Sequence, residues 1–472
     1  MSALALPDGT RRGARRRSRG DAGDGLDVSY ARVARLSAPM VAATATGIGA
    51  QLVVTGLIGH MDGAALYVRA VYMPIAFLFL AATTGLSVTL QVAVAQCRGR
   101  GDDAQIRRYF GGVVRSGALV YLVLGAALAC SAGLLATAMR VPPGRQPAFH
   151  AFLLAMTAAT AVGMVGELGS AVLRGLGRTG TSAVVTAVYV SCYLGTVVVG
   201  GLVLHGGLIA VAAGAGLAGT AEIALGLGIL ARSGVLPPSA VAAWKPGVPR
   251  LLAAIGLPVS ASFIVLSVVN LVLLRIVAPA GQSAVAGFTV GYTVQTFVIV
   301  PAVGLGSAVS VLMNQAVAAG AVTAARTAFR RGMVIALAGY AAVTVAVLTA
   351  GGPAVSLMTG NPVIAADTRH FLAVVGPSFG CTALVLTALT VLEQVGHGPL
   401  AALLNAGYFA AVLIAGWLVM ASTANLTDLY LTLLIAALVG LVTGLPIACA
   451  FAMRPRALRD PGDGGGSSEV PS

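Results

Sequence analysis

The chain has 472 residues, of which 58% are hydrophobic and 61 are glycine, while only 9% carry a formal charge. A soluble domain is about a quarter charged, so a mean hydropathy of +0.93 excludes a water-soluble globule and places the chain in lipid. A spanning helix takes about 20 apolar residues, so this length excludes a protein held by one or two anchors, and the net charge of +14 must be read from where the basic residues lie.

Residues 1–32 form a basic leader in which Arg11, Arg12, Arg15, Arg16, Arg17 and Arg19 are interleaved with Gly and Asp, with no aromatic residue among them. This composition suits a disordered tail at an anionic cytoplasmic leaflet better than a nucleic-acid arm. The first apolar run is too long for a cleaved signal. Runs with few charges then follow at 33–59, 67–96, 110–138, 149–172, 181–204, 207–232, 250–278, 283–316, 329–350, 365–391, 398–422 and 426–452. None alternates as barrel strands do, which predicts an all-α membrane protein of twelve transmembrane helices.

Six runs fall in 33–232 and six in 250–452, the two six-helix bundles of the prediction. The proline-rich stretch 233–249 cannot continue a helix and reads as a cytoplasmic linker. Residues 453–472, rich in Gly and Ser, read as a disordered cytoplasmic tail. Twenty-four of the 29 basic residues lie on one side of this layout, against Arg69, Arg140, Arg145, Arg275 and Arg369 on the other. Positive charge stays inside, so both termini are expected in the cytoplasm and the membrane is expected to be the plasma membrane.

Sliding the second half over the first at one fixed offset pairs Pro39 with Pro258, Gly85 with Gly304, Gln96 with Gln315, Arg107 with Arg326, Gly177 with Gly396 and Tyr189 with Tyr408. Matches of these residue types are not favoured by an Ala-, Val- and Leu-rich composition. Six spans per half return the chain to its starting side, so the halves are parallel repeats. Two such bundles facing a central cleft is the architecture of secondary transporters.

Several stretches together resemble the multidrug and toxic compound extrusion (MATE) family. They are LSAPM (Leu36 to Met40), LIGHMDG (Leu57 to Gly63), IGLPV (Ile255 to Val259), the runs beginning at Gly85 and Gly304, and LRGLGRTG (Leu173 to Gly180). The resemblance, over about residues 30–452, implies an antiporter that exports amphipathic, often cationic organic molecules in exchange for H⁺ or Na⁺. The chain departs from the family where an acid is common in the outer half of the first span, five positions before Gly59. That position is Val54 here.

An ionisable group in hydrocarbon costs about 2.5–3.5 kcal/mol on insertion scales, so the acids inside runs are informative. Glu222 lies near mid-membrane in the sixth run and is the first candidate for ion coupling, while Glu167 in the fourth run lies seven residues before Arg174 and offers either a coupling group or an ion pair. Gln51 and Asn270 are repeat partners at mid-span, candidate substrate-cleft amides or interhelical hydrogen-bonding groups. Tyr72, Phe77, Phe79, Tyr292 and Phe297 are candidate cation–π surface or packing residues. Gly85 and Gly304 allow close helix approach.

Cys97, Cys130, Cys192, Cys381 and Cys449 form no CxxC or His/Cys cluster, so neither a disulfide framework nor a zinc site is expected. There is no GxxxxGK[ST] loop, GxSxG or HExxH. The expectation is a monomeric transporter without cofactor, not an enzyme, whose partners are a small organic substrate, H⁺ or Na⁺, and the bilayer. A lipid-linked precursor flippase of the same superfamily, or a major-facilitator transporter, are the alternatives. A flippase would be expected to carry cationic residues in its cleft.

Overall fold

The computed structural model describes residues 28–61, 63–138, 141–237, 245–358 and 361–455, so most of the leader and tail and the middle of the linker lie outside the described residues. The described chain is helical throughout, with no strand. That follows from the solvent: hydrocarbon offers backbone amides no partner, and a helix satisfies them internally. The hydroxyls obey the same rule. Thr44, Thr83, Thr157 and Thr196 each donate to the carbonyl four residues earlier, at 2.8–2.9 Å.

The long helices are α1 (Tyr30–Met61), α2 (Gly63–Arg100), α3 (Asp103–Ala138), α4 (Gln146–Gly175), α5 (Thr179–Thr196) and α6 (Gly207–Arg232). After the linker come α7 (Leu257–Val277), α8 (Gln282–Ile299), α9 (Pro301–Ala318) and α10 (Val322–Met358). They are followed by α11 (Pro362–Val375), α12 (Ser378–Leu392), α13 (Gly398–Thr423), α14 (Leu426–Val439) and α15 (Leu445–Ala452). Asn361 and Asn425 start α11 and α14 by accepting main-chain N–H bonds at 2.9 and 3.0 Å.

Eleven segments of the described chain are long and apolar enough to cross a membrane, against twelve expected runs. Two features account for the difference. The tenth run, 365–391, is not continuous, because the chain breaks between α11 and α12 at Gly376–Pro377, and proline removes the donor a helix needs there. One apolar segment, Ser378–Thr423, has 46 residues, about 69 Å as a helix and more than twice the hydrocarbon thickness. Within it Val395 and Gly396 leave helical geometry, Gly396 with φ +93°. Its repeat partner Gly177 has φ +78° in the turn between α4 and α5, a backbone state that suits glycine.

The outside of the bundle is apolar: Leu119, Leu122, Leu134, Trp417 and Val442 are all exposed, as lipid-facing side chains are. Both ends of the described chain lie at one end of the bundle, where Arg331 donates to the Val28 carbonyl at 2.7 Å and Arg326 to the Met453 carbonyl at 3.0 Å. The two halves exchange their opening turns. Val33 and Leu36 of α1 are buried in a cluster with Val309, Leu312 and Met313 of α9. Reciprocally Val248, Leu251 and Ile255, which lead into α7, and Val259 in its first turn join the core of the first half.

Candidate functional site

The halves cross where the sequence repeats its glycines. A Cβ on Gly85 of α2 would sit 2.5 Å from the Gly256 carbonyl and against Ser260, and one on Gly304 of α9 would sit 3.0 Å from the Met40 carbonyl. Two helix backbones thus touch at pseudo-equivalent crossings, α2 on α7 and α9 on α1.

Beyond these crossings, toward the termini, a buried polar seam joins the halves. Gln96 Nε2 donates to Asn314 Oδ1 at 2.9 Å, and Asn314 Nδ2 donates to the carbonyls of Ser310 and Gln394, both at 2.9 Å. The Gln394 side chain donates to Ser307 Oγ at 2.8 Å, accepts from Ser310 Oγ, and accepts from Gln91 Nε2 at 3.4 Å. Gln91 Oε1 in turn accepts from Arg174 Nε at 2.9 Å, and Arg174 Nη2 reaches Ser87 Oγ at 2.7 Å and Glu167 Oε1 at 2.5 Å. Gln315 Nε2 donates to the Gly175 carbonyl at 2.9 Å, and on the far side of the α2–α7 crossing Ser260 Oγ donates to that of Ala81 at 2.8 Å. Of the four side-chain hydrogen bonds found between 33–232 and 250–452 among the described residues, three belong to this end of the bundle and the fourth, Ser260 to Ala81, lies just across the α2–α7 crossing near mid-bundle. Apart from Glu167, Arg174 and the paired Gln96 and Gln315, sequence reasoning singled out none of these groups, because buried amides look like any other polar residue near a span end.

The acids occupy three settings. Glu167, half-buried, is the ion-pair partner of Arg174. Glu222 is buried, accepts from Ser170 Oγ at 2.9 Å, and lies so close to α4 that a Cβ on Gly166 would come within 2.9 Å of its Oε2. Glu393, just beyond the expected tenth run, is buried and accepts from Ser262 Oγ at 2.6 Å. At the offset that places Pro39 over Pro258, it is the repeat counterpart of Arg174.

Of the expected cleft residues, Gln51 accepts from Arg69 Nη2 at 2.9 Å. Asn270 is half-buried and makes no side-chain hydrogen bond among the described residues. Tyr72 is buried with its ring edge-on to Phe152 at 5.3 Å, and Phe79 is buried against Tyr121 at 5.2 Å. Tyr292 stacks on Phe288 at 5.7 Å. Phe77 is 38% exposed, and Phe297 of α8 approaches α1, 3.9 Å from where a Cβ on Gly49 would lie. The described residues contain no group of three or more His, Cys, Asp or Glu able to hold a metal ion.

The chain is similar to solved transporters over nearly its whole length. An aspartate-to-asparagine variant of the Vibrio cholerae MATE transporter VcmN superposes with a TM-score of 0.84 at 18% identity, covering 90% of this chain and 97% of that one. A MATE transporter in its straight conformation gives 0.82 at 17%, covering 90% and 96%. A MOP superfamily transporter from Pyrococcus furiosus, described as having a binding pocket of reversed polarity, gives 0.81 at 16%, covering 90% and 97%. At these identities the likeness shows the fold. No curated protein matches the chain in sequence. The family model MatE, however, matches it twice, over residues 39–199 and 258–418, and the two matches start at Pro39 and Pro258, the first pair of the internal repeat. The chain is therefore a member of the MatE family of membrane transporters.

Proposed function

We propose that the chain is a secondary antiporter of the plasma membrane, with both termini cytoplasmic, that exports amphipathic organic compounds in exchange for H⁺ or Na⁺ by alternating access. The observation that carries this reading is that the buried amide hydrogen bonds between the halves, Gln91 to Gln394, Gln96 to Asn314 and Gln315 to Gly175, lie at the end of the bundle that holds the termini. Two halves latched at one end by amide hydrogen bonds, which water can replace, can part there and close at the other. The segment Ser378–Thr423 counts as two spans with its turn at Val395–Gly396, which makes twelve spans in two sets of six. The left-handed glycines Gly177 and Gly396 at repeat-related turns support that count.

Glu222 is the proposed coupling group and Glu393 the second candidate. Each is buried, held by one serine hydroxyl, and in no ion pair among the described residues. A buried carboxylate without an ion-pair partner needs a proton or a cation to neutralise it. The test is efflux in inverted vesicles with an imposed pH or Na⁺ gradient, run on a panel of organic ions. Accumulation that ignores both gradients overturns the antiport reading.

A further inference from the structure

Arg69 is the one Lys or Arg among the described residues that is buried, at 4% exposure. It sits in the first turns of α2, toward the end of the bundle opposite the termini, where its Nη2 donates to Gln51 Oε1 of α1 at 2.9 Å. Its Nε is buried without a hydrogen-bond partner, and so is the hydroxyl of Tyr72 one turn further along α2. The guanidinium lies 5.9 Å from the centre of the Tyr72 ring. Val54, fully buried, stands one turn from Gln51 on α1. Arg69 makes no ion pair among the described residues.

These groups have one sign. A guanidinium keeps its proton at all relevant pH and only donates. The one acceptor it holds among the described residues is the neutral amide of Gln51. Buried charges are ordinarily paired, and here, among the described residues, a fixed cation is accompanied by a second buried donor and by no carboxylate partner. Such a set complements an oxyanion: the guanidinium offers planar paired N–H groups, and the phenol adds a third donor beside a hydrophobic wall formed by Tyr72 and Phe152.

We propose that Arg69, with Tyr72 and Gln51, binds an oxyanion group of the transported compound, so that this chain handles amphipathic organic anions, with a carboxylate as the simplest headgroup. The proposal rests on the export reading above and supplies the polarity of its substrate. It replaces the cation expected from the family resemblance by an anion, because the position of the expected acid is Val54 and the buried charge nearby is Arg69.

The test uses the full chain in phosphatidylcholine nanodiscs and two fluorescent probes on one scaffold, pyrenebutyrate and pyrenebutyltrimethylammonium. Wild type is expected to bind the carboxylate about tenfold or more tightly than the ammonium, the scale of one charge-assisted bond in a buried site. Arg69→Gln is expected to erase that preference, Arg69→Lys to restore part of it, and Tyr72→Phe to weaken carboxylate binding severalfold without changing ammonium binding. Equal or tighter binding of the ammonium by wild type overturns the proposal, as does unchanged carboxylate binding in Arg69→Gln. If Arg69→Gln does not fold, Arg69→Lys and Tyr72→Phe decide the matter by the same comparison. Adding phosphatidylglycerol separates the two sources of an oxyanion: Arg69-dependent displacement of the probe assigns the site to a lipid phosphate, and no displacement assigns it to a soluble organic anion. Intact Arg69-dependent binding without gradient-driven efflux overturns the antiport reading and leaves the site standing.

Discussion

Replacing Asn314 by Leu tests whether the seam at the termini end is a latch. Leu keeps the approximate bulk of the side chain but removes the acceptor of the Gln96 amide, a bond that joins the two halves. The two bonds from Asn314 to the carbonyls of Ser310 and Gln394 are lost as well, but both lie inside the second half, so their loss weighs equally on the latched and parted arrangements and cancels. What remains is the inter-half term. A buried donor deprived of its acceptor costs about 1–3 kcal/mol, and parting the halves relieves that cost by exposing Gln96 to water. The parted population is therefore expected to rise roughly 5- to 150-fold. Electron–electron distance measurements between spin labels on Arg100→Cys and Val322→Cys, both exposed positions at this end, read that population directly. The native cysteines Cys97, Cys130, Cys192, Cys381 and Cys449 are replaced by alanine in this background. A distance distribution unchanged by Asn314→Leu would refute the latch, and so would a shift toward shorter distances.

Glu222→Gln keeps the size and the Ser170 hydrogen bond while removing the titratable charge, so it should abolish gradient-driven efflux in vesicles and leave substrate binding intact; full efflux by this variant transfers the coupling role to Glu393 or Glu167. Gly85→Val should be among the most damaging substitutions at any glycine, costing about 1–3 kcal/mol in the present arrangement through overpacking against Gly256 and Ser260; a thermal midpoint equal to wild type in detergent contradicts the crossing. A reporter fused after Met453 should read cytoplasmic, as the positive-inside asymmetry requires, and an extracytoplasmic reading sinks the even span count.

Composition and periodicity alone determined that the chain is a helical membrane protein, and a single constant offset between matched residues located the repeat that the family model then matched from Pro39 and from Pro258. These properties are legible because they are sums over many residues: lipid demands long apolar runs, and a duplicated bundle leaves Pro, Gly and Gln at matched positions. Gly85 and Gly304 were readable for the same reason, since only glycine lets two backbones meet. The break inside the tenth run at Gly376–Pro377 was written in the residues but masked by the apolar stretch around it. The site was a different matter. Whether Glu167 pairs with Arg174, whether Glu393 lies at an edge or inside, and whether Arg69 faces water or the amide of another helix each depend on which other helix lies alongside. Gln96 and Asn314 belong to different halves of the chain, yet their amides meet at 2.9 Å. A one-dimensional pattern shows the depth of a polar group along its own helix, but hydrogen bonds fall off within a fraction of an ångström, so only the packing of the two halves decided which groups meet.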